Sequence, residues 1–413
     1  MSSHPASDPS PAVAPGGGGS ALYAWEFGAN LGHIGTFLPV ARRLRENGNT
    51  VHWVVTHPHQ AAKLLPGDNF TWLQAPVMPE QRREGAPLNY SDILLRFGYA
   101  NADDLFGIVI AWRELIRLTG ARVVLADHSP TAILAARSLD VPVMLFGSGF
   151  FAPPQVSPLP NMRPWLAIPP ERLLAMDHLA LSSINAVLDR LGKPPLRYVA
   201  ELFQVAETSL LTFPELDHYP QRGPAAYWGT LPAAVAHPPE WPQASSPRIF
   251  AYLRPESAHF EAALAALNAL GACVLVYAPG IAPQMQARYN SPLMAFAPRP
   301  VDLNTVAREA DAGVTYASPA ATIAFLMAGK PVLMIPGQLE QFLFGRRVEE
   351  MGAGLLINPE NPPVELPAFL RRVVTDPAFL ANARAFAHKY ERFDQNEVMS
   401  NIVRRAEELA HAR

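Results

Sequence analysis

The stretch GANLGH, Gly28 to His33, joins an apolar run, ALYAWEF, to an amphipathic one, FLPVARRLRENG. Glycines in such a turn let a ligand approach the backbone, and an imidazole there can take a proton near neutral pH. His33 is therefore a candidate general base, although a histidine at this position also serves as a helix cap or surface group. Asp127 ends a second apolar run, RVVLAD. A carboxylate there could orient His33 and stabilise its imidazolium, or cap a helix opening at Ser129 and Pro130. Glu26, at the end of the first run, is a third candidate base, and nothing in spacing ranks it above His33. His57, His59 and His128 lack a third ligand at metal-binding spacing, so no metal is expected. The spacing Gly28-x-x-x-Gly32 departs from GxGxxG, and no acidic residue clearly takes the ribose position about 20 residues on, which argues against a nicotinamide enzyme.

These residues need strand ends to carry them. From residue 21 the chain reads as strand, glycine turn, helix and strand, the second strand being VHWVVT. Arg42, Arg43 and Arg45 followed by Gly48 mark the end of the helix. RVVLAD, TAILAARSLD and VPVMLFG repeat the alternation, as expected for a parallel sheet covered by helices. The pattern starts again at RIFAYL and runs through FEAALAALNALG, ACVLVYA, DAGVTYA and KPVLMIP. Two α/β halves are thus expected: a flexible tail over 1–20, a first Rossmann-like domain over 21–230, a proline-rich linker over 231–247, a second Rossmann-like domain over 248–375 and a helical segment over 376–413.

At 413 residues, with 49% hydrophobic and 17% charged residues, the chain suits two soluble domains. No apolar run reaches the roughly 18 residues of a membrane helix, and the first residues lack a signal-peptide pattern, so a cytoplasmic protein is expected. A net charge of -3 gives no case for nucleic-acid binding. The single cysteine, Cys273, lies in an apolar run and excludes an internal disulfide. Many of the 43 prolines gather at 152–170 and 232–247, and the aromatic, proline-rich stretch FGSGFFAPPQ with PLPNMRPWLAIPP reads either as a packed loop or as an apolar ligand-facing surface.

The two-half plan, GANLGHIGTFLPVARRLRENGNTV and AGKPVLMIPGQLEQFLFGRRVEEMGAG resemble the UDP-glycosyltransferase superfamily of GT-B glycosyltransferases, from about residue 21 to the end. The resemblance implies a GT-B fold with acceptor in the first half and donor in the second. It puts the family's base on His33 and its partner aspartate on Asp127. The acidic-Gln pair that holds the donor sugar falls on Glu340 and Gln341, at the family's spacing from Gly329 to Pro331. The nucleobase is expected against residues 297–302, around Val301, where the tryptophan of some members is absent; UDP-sugar is the default donor, with no separate cofactor.

One segment departs from the family. The HGGxGT diphosphate loop and the Glu after it fall on Tyr316, Ala317, Ser318, Pro319, Ala320, Ala321 and Ala324, where no family-typical side chain remains. Ser318 and Pro319 still read as a helix start, whose N–H groups and dipole favour an anion. Arg254 stands where the family has a small phosphate-facing loop, so it is expected to supply the missing donor, with Tyr316 and Ser318 offering hydroxyls; a surface charge is the other reading. The expected activity is metal-independent, inverting transfer from a nucleotide-sugar to an acceptor hydroxyl. The alternatives are an inactive GT-B-like binding or partner subunit and a nucleotide-sugar epimerase.

Overall fold

The computed structural model describes residues 18–28, 32–232, 236–242, 247–358 and 365–412. Residues 1–17 of the expected tail, residues 29–31 of the glycine turn, and 233–235 and 243–246 of the expected linker lie outside the described residues. Ser20, placed in the tail from sequence, opens the first strand.

The first half carries β1 (Ser20–Trp25), α1 (Gly32–Glu46), β2 (Thr50–Val55), α2 (Pro58–Leu64), β3 (Thr71–Gln74), α3 (Tyr90–Arg96) and α4 (Ala102–Leu118). It continues with β4 (Val123–Asp127), α5 (Pro130–Ser138), β5 (Val143–Leu145) and α6 (Pro170–Arg190). The second half begins with β6 (Arg248–Tyr252), α7 (Phe260–Ala269), β7 (Cys273–Tyr277), α8 (Pro283–Tyr289), β8 (Met294–Phe296) and α9 (Leu303–Glu309). There follow β9 (Ala312–Thr315), α10 (Pro319–Met327), β10 (Val332–Met334), α11 (Leu339–Glu350) and β11 (Gly354–Leu356). Three helices end the chain: α12 (Leu366–Thr375), α13 (Pro377–Lys389) and α14 (Gln395–His411).

The strands form two parallel sheets, in the orders β3-β2-β1-β4-β5 and β11-β10-β9-β6-β7-β8. In each sheet the chain starts at a central strand, builds outward on one side and then crosses to the other. That leaves a crevice between β1 and β4 and another between β6 and β9, beyond their carboxyl ends, where open α/β sheets bind ligands. Register aligns Trp25 with Asp127 in the first sheet and Tyr252 with Thr315 in the second.

Both faces of each sheet are buried. Along β1, Leu22 and Ala24 join the core under α4 and α5, while Ala21, Tyr23 and Trp25 join the opposite core under α1 and α14. Alternation of side chains across the strand produces this division. Two further cores flank the second sheet. The halves also touch directly: Trp165 meets Phe342 edge-on at 5.0 Å, and the Tyr390 hydroxyl donates to Glu215 at 2.7 Å.

Candidate active site

At the first crevice, β1 ends at Trp25 and α1 begins at Gly32, so His33 stands in the first turn of the helix. β4 ends on Asp127 itself. Their side chains meet, His33 Nδ1 lying 2.9 Å from Asp127 Oδ2. A carboxylate only accepts, so the neutral imidazole carries its proton on Nδ1 and presents an unprotonated Nε2. The buried Tyr23 hydroxyl donates to the same Oδ2 at 2.6 Å, fixing the carboxylate from beneath. Trp25 stacks on the imidazole at 4.8 Å and 20°. Gly28, at φ +95°, leaves Nε2 open, since a Cβ there would stand 3.0 Å from it.

His33 is subject to opposing influences. Burial is the largest and lowers its pKa; the charge and hydrogen bond of Asp127, with a smaller effect from Glu340, outweigh it and raise the pKa above the ordinary imidazole range. His128, next to Asp127 in sequence, goes the other way. Burial and the nearby His33 hold it far below that range, so it is neutral, with its ring stacked on Phe151 at 4.1 Å and 16°. Phe151 also faces His33 at 5.7 Å, and Phe150, Phe27 and Tyr90 surround His128. Phe150 and Phe151 of this aromatic wall come from the FGSGFF stretch, Phe27 from the end of the first apolar run and Tyr90 from α3, and the wall lies beside His33.

Glu26 has a different task. It is buried and accepts from the Thr131 N–H at 2.9 Å, which caps α5. The same contact removes the capping role from Asp127. Burial raises Glu26 to about 8 against the hydrogen bonds from Thr131, Ala132 and Ser129. His57 and His59 lie together, ring centroids 5.4 Å apart. Among the described residues no three His, Cys, Asp or Glu side chains gather as a metal site.

At the second crevice, Arg254 follows β6 and Tyr316 follows β9, and the guanidinium sits 5.0 Å from the Tyr316 ring centroid. Tyr252 meets Tyr316 edge-on at 4.9 Å. Ser318 is the N-cap residue of α10 with Pro319 in the first turn, but its side chain makes no capping bond. Thr315 holds the turn instead: Oγ1 accepts from the Ala317 N–H at 3.1 Å and pairs with Thr322 Oγ1 at 2.9 Å. Ala317 is left-handed, φ +59°, at the position of the first glycine of HGGxGT. A non-glycine residue thus adopts a conformation that glycine usually supplies.

Val301 pairs with His237 in an isolated bridge that uses Pro300 O and Asp302 N. Its own peptide groups therefore face the other side. Gln341, buried, turns its Oε1 to the Gly337 N–H at 3.0 Å. Glu340, in the first turn of α11, lies 3.3 Å from Nε2 of His218, a residue of the first half that no sequence motif singled out. The structure thus brings together His33 with Asp127 and Arg254 with Tyr316.

The same architecture occurs in known proteins. Glycosyltransferase VinC in complex with dTDP superposes with TM-score 0.65 at 19% identity, over 94% of this chain and 99% of that one. Spinosyn rhamnosyltransferase SpnG gives 0.65 at 15% identity over 94% and 99%, and SnogD from Streptomyces nogalater gives 0.59 at 16% over 94% and 99%. The fold is GT-B. Likeness at such low identity establishes the architecture of this chain, whole length against whole length, and says nothing by itself about its substrates. No protein-family model and no curated protein matches the sequence. No helix among the described residues is long and apolar enough to cross a membrane.

Proposed function

We propose that this GT-B protein transfers a sugar from a nucleoside diphosphate to an acceptor hydroxyl with inversion at the anomeric carbon. The observation that carries the reading is the 2.9 Å contact between His33 and Asp127 at the β1/β4 crevice. It gives the imidazole one tied nitrogen and one open to a hydroxyl. Nε2 takes the acceptor proton as the oxygen attacks the anomeric carbon, and Asp127 stabilises the imidazolium that forms. The bond from that carbon to the diphosphate breaks on the opposite face, and the N-terminal end of α10 with Arg254 receives the departing charge. Glu340 and Gln341 hold the sugar, the peptide of Val301 holds the base, and the aromatic wall of Phe150, Phe151 and Phe27 takes an apolar acceptor. UDP-sugars are the default donors; dTDP in VinC makes thymidine nucleotides the next to test.

Two alternatives are weaker. An epimerase would need acid and base groups around the donor sugar, whereas the paired base stands in the first half. A non-catalytic subunit has the altered diphosphate loop in its favour, yet has no use for a tied, open-faced imidazole. Transfer is tested by incubating the protein with UDP- or dTDP-glucose and a panel of flat phenols and hydroxylated macrocycles, with mass spectrometry of the products. A hexosylated product that falls by 10²- to 10⁴-fold in His33→Ala is expected. Product made equally by that variant would remove the base and with it the mechanism.

A further inference from the structure

His218 follows a short 3-10 turn, Pro214–Leu216, and its side chain is completely buried between Phe150 of the first half and Phe344 of the second. Its backbone cannot easily move. Neighbouring Asp217 accepts from Arg222 Nε at 2.5 Å, from the Tyr227 hydroxyl at 3.0 Å and from the Tyr219 N–H at 2.9 Å. Arg222 in turn donates to the carbonyls of Gly149 and Ala152. The imidazole is thus held on a rigid corner, yet neither ring nitrogen makes a hydrogen bond. Nε2 lies 3.3 Å from Glu340 Oε1 but off the line a hydrogen bond requires. Folds rarely keep a buried imidazole in that condition without a use for it.

We infer that His218 is a positioning residue of the donor site: carried by the first half, it fixes the Glu340 carboxylate of the second half for a hydroxyl of the donor sugar. The inference rests on the donor reading above. A small rotation of one half against the other brings Nε2–H into line with Oε1. One carboxylate oxygen is then anchored, and the other is left to accept from the sugar. Glu340 remains one-fifth exposed, as a group facing the cleft should. The pairing also links sugar binding to closure, because its partners belong to different halves.

The test uses UDP-glucose, dTDP-glucose and the free diphosphates as probes in calorimetric titrations. The quantity read is the ratio of diphosphate to sugar-nucleotide Kd. The wild type is expected to bind the sugar nucleotide more tightly than the diphosphate. His218→Phe fills the space between Phe150 and Phe344; it is expected to reduce that ratio about tenfold while leaving the diphosphate Kd unchanged. His218→Gln, which keeps an N–H donor, should recover most of the ratio. His218→Phe combined with Glu340→Gln should do no more harm than Glu340→Gln alone. An unchanged ratio in His218→Phe, an equal loss for diphosphate and sugar nucleotide, or multiplicative effects in the double variant would each overturn the inference. A wild type that binds diphosphates without gain from the sugar would overturn it and leave the donor reading standing. Binding of neither probe would remove the donor reading itself.

Discussion

Asp127 governs His33 through a single oxygen that also accepts from Tyr23. A general base must be neutral to act, so the rate should fall as pH drops through the raised His33 pKa. Asp127→Asn removes the raising influence. Its acidic limb should therefore move to lower pH, while the plateau rate drops by roughly 10²–10⁴ because the imidazolium loses its counter-charge; unchanged limbs in a pH–rate profile would contradict the pairing. Glu26 offers an independent check. Its folded pKa of about 8 lies above the ordinary 4.5, so its contribution to stability is complete below 4.5 and is lost as pH rises to about 8. Glu26→Gln keeps an acceptor for Thr131 and does not titrate; its melting temperature relative to wild type should climb across that window. Parallel curves would show that Glu26 is not held protonated.

The elements explain which residues could be read in the sequence. His33 and Asp127 stood out because one lies in the turn region after a strand and the other ends a strand, and strand ends are where a parallel sheet presents its chemistry. Glu340 and Gln341 were singled out by resemblance to the superfamily's acidic-Gln pair. Glu26 occupies an equivalent strand end, and spacing could not separate it from a base; only the place of α5 over it shows that it caps a helix. Tyr23 looked like one apolar residue in ALYAWEF, although a tyrosine in a fully buried strand needs a partner for its hydroxyl, a signal that could have led to Asp127. His218 had no such signal, since it enters the cleft only when the turn before it packs under α11. In the turn between β9 and α10 the Thr315–Thr322 pair holds Ala317 left-handed. That loop depends on tight packing between β9 and α10. A Cβ on Gly313 would lie 2.8–2.9 Å from the Phe325 ring. Gly313→Ala should cost about 1–3 kcal/mol in urea unfolding and weaken the proposed diphosphate binding, because the helix that starts at the β6/β9 crevice must shift.

Across the whole molecule, the chain closes on itself. α13 packs on α10 in the second half, while α14 returns to the first and supplies Ile402, Val403, Ala406, Leu409 and Ala410 to the core beneath β1. Arg405 pairs with Glu207 at 3.1 Å, and the Asn49 amide donates to Glu407 at 2.8 Å, securing it there. The sequence indicated a helical end over 376–413, but not that it reaches back to the first half or which face of the first sheet it covers, because that face is set by contacts hundreds of residues apart. Removing residues 395–413 should therefore cost the first half its fold although the site residues remain. Size-exclusion chromatography and dye binding should show an aggregated chain with exposed apolar surface; a monomer with unchanged melting would contradict this role.

The measurement that bears most directly on the proposed activity is calorimetric titration of the intact chain with UDP, dTDP and GDP, beside Arg254→Ala. Micromolar binding of one diphosphate, weakened about 10- to 100-fold in the variant, is predicted for a donor site in which a guanidinium and the N-terminal end of α10 replace the usual loop. Absence of binding by all three, with and without phenolic acceptors, would contradict it and leave a GT-B fold serving as a binding subunit.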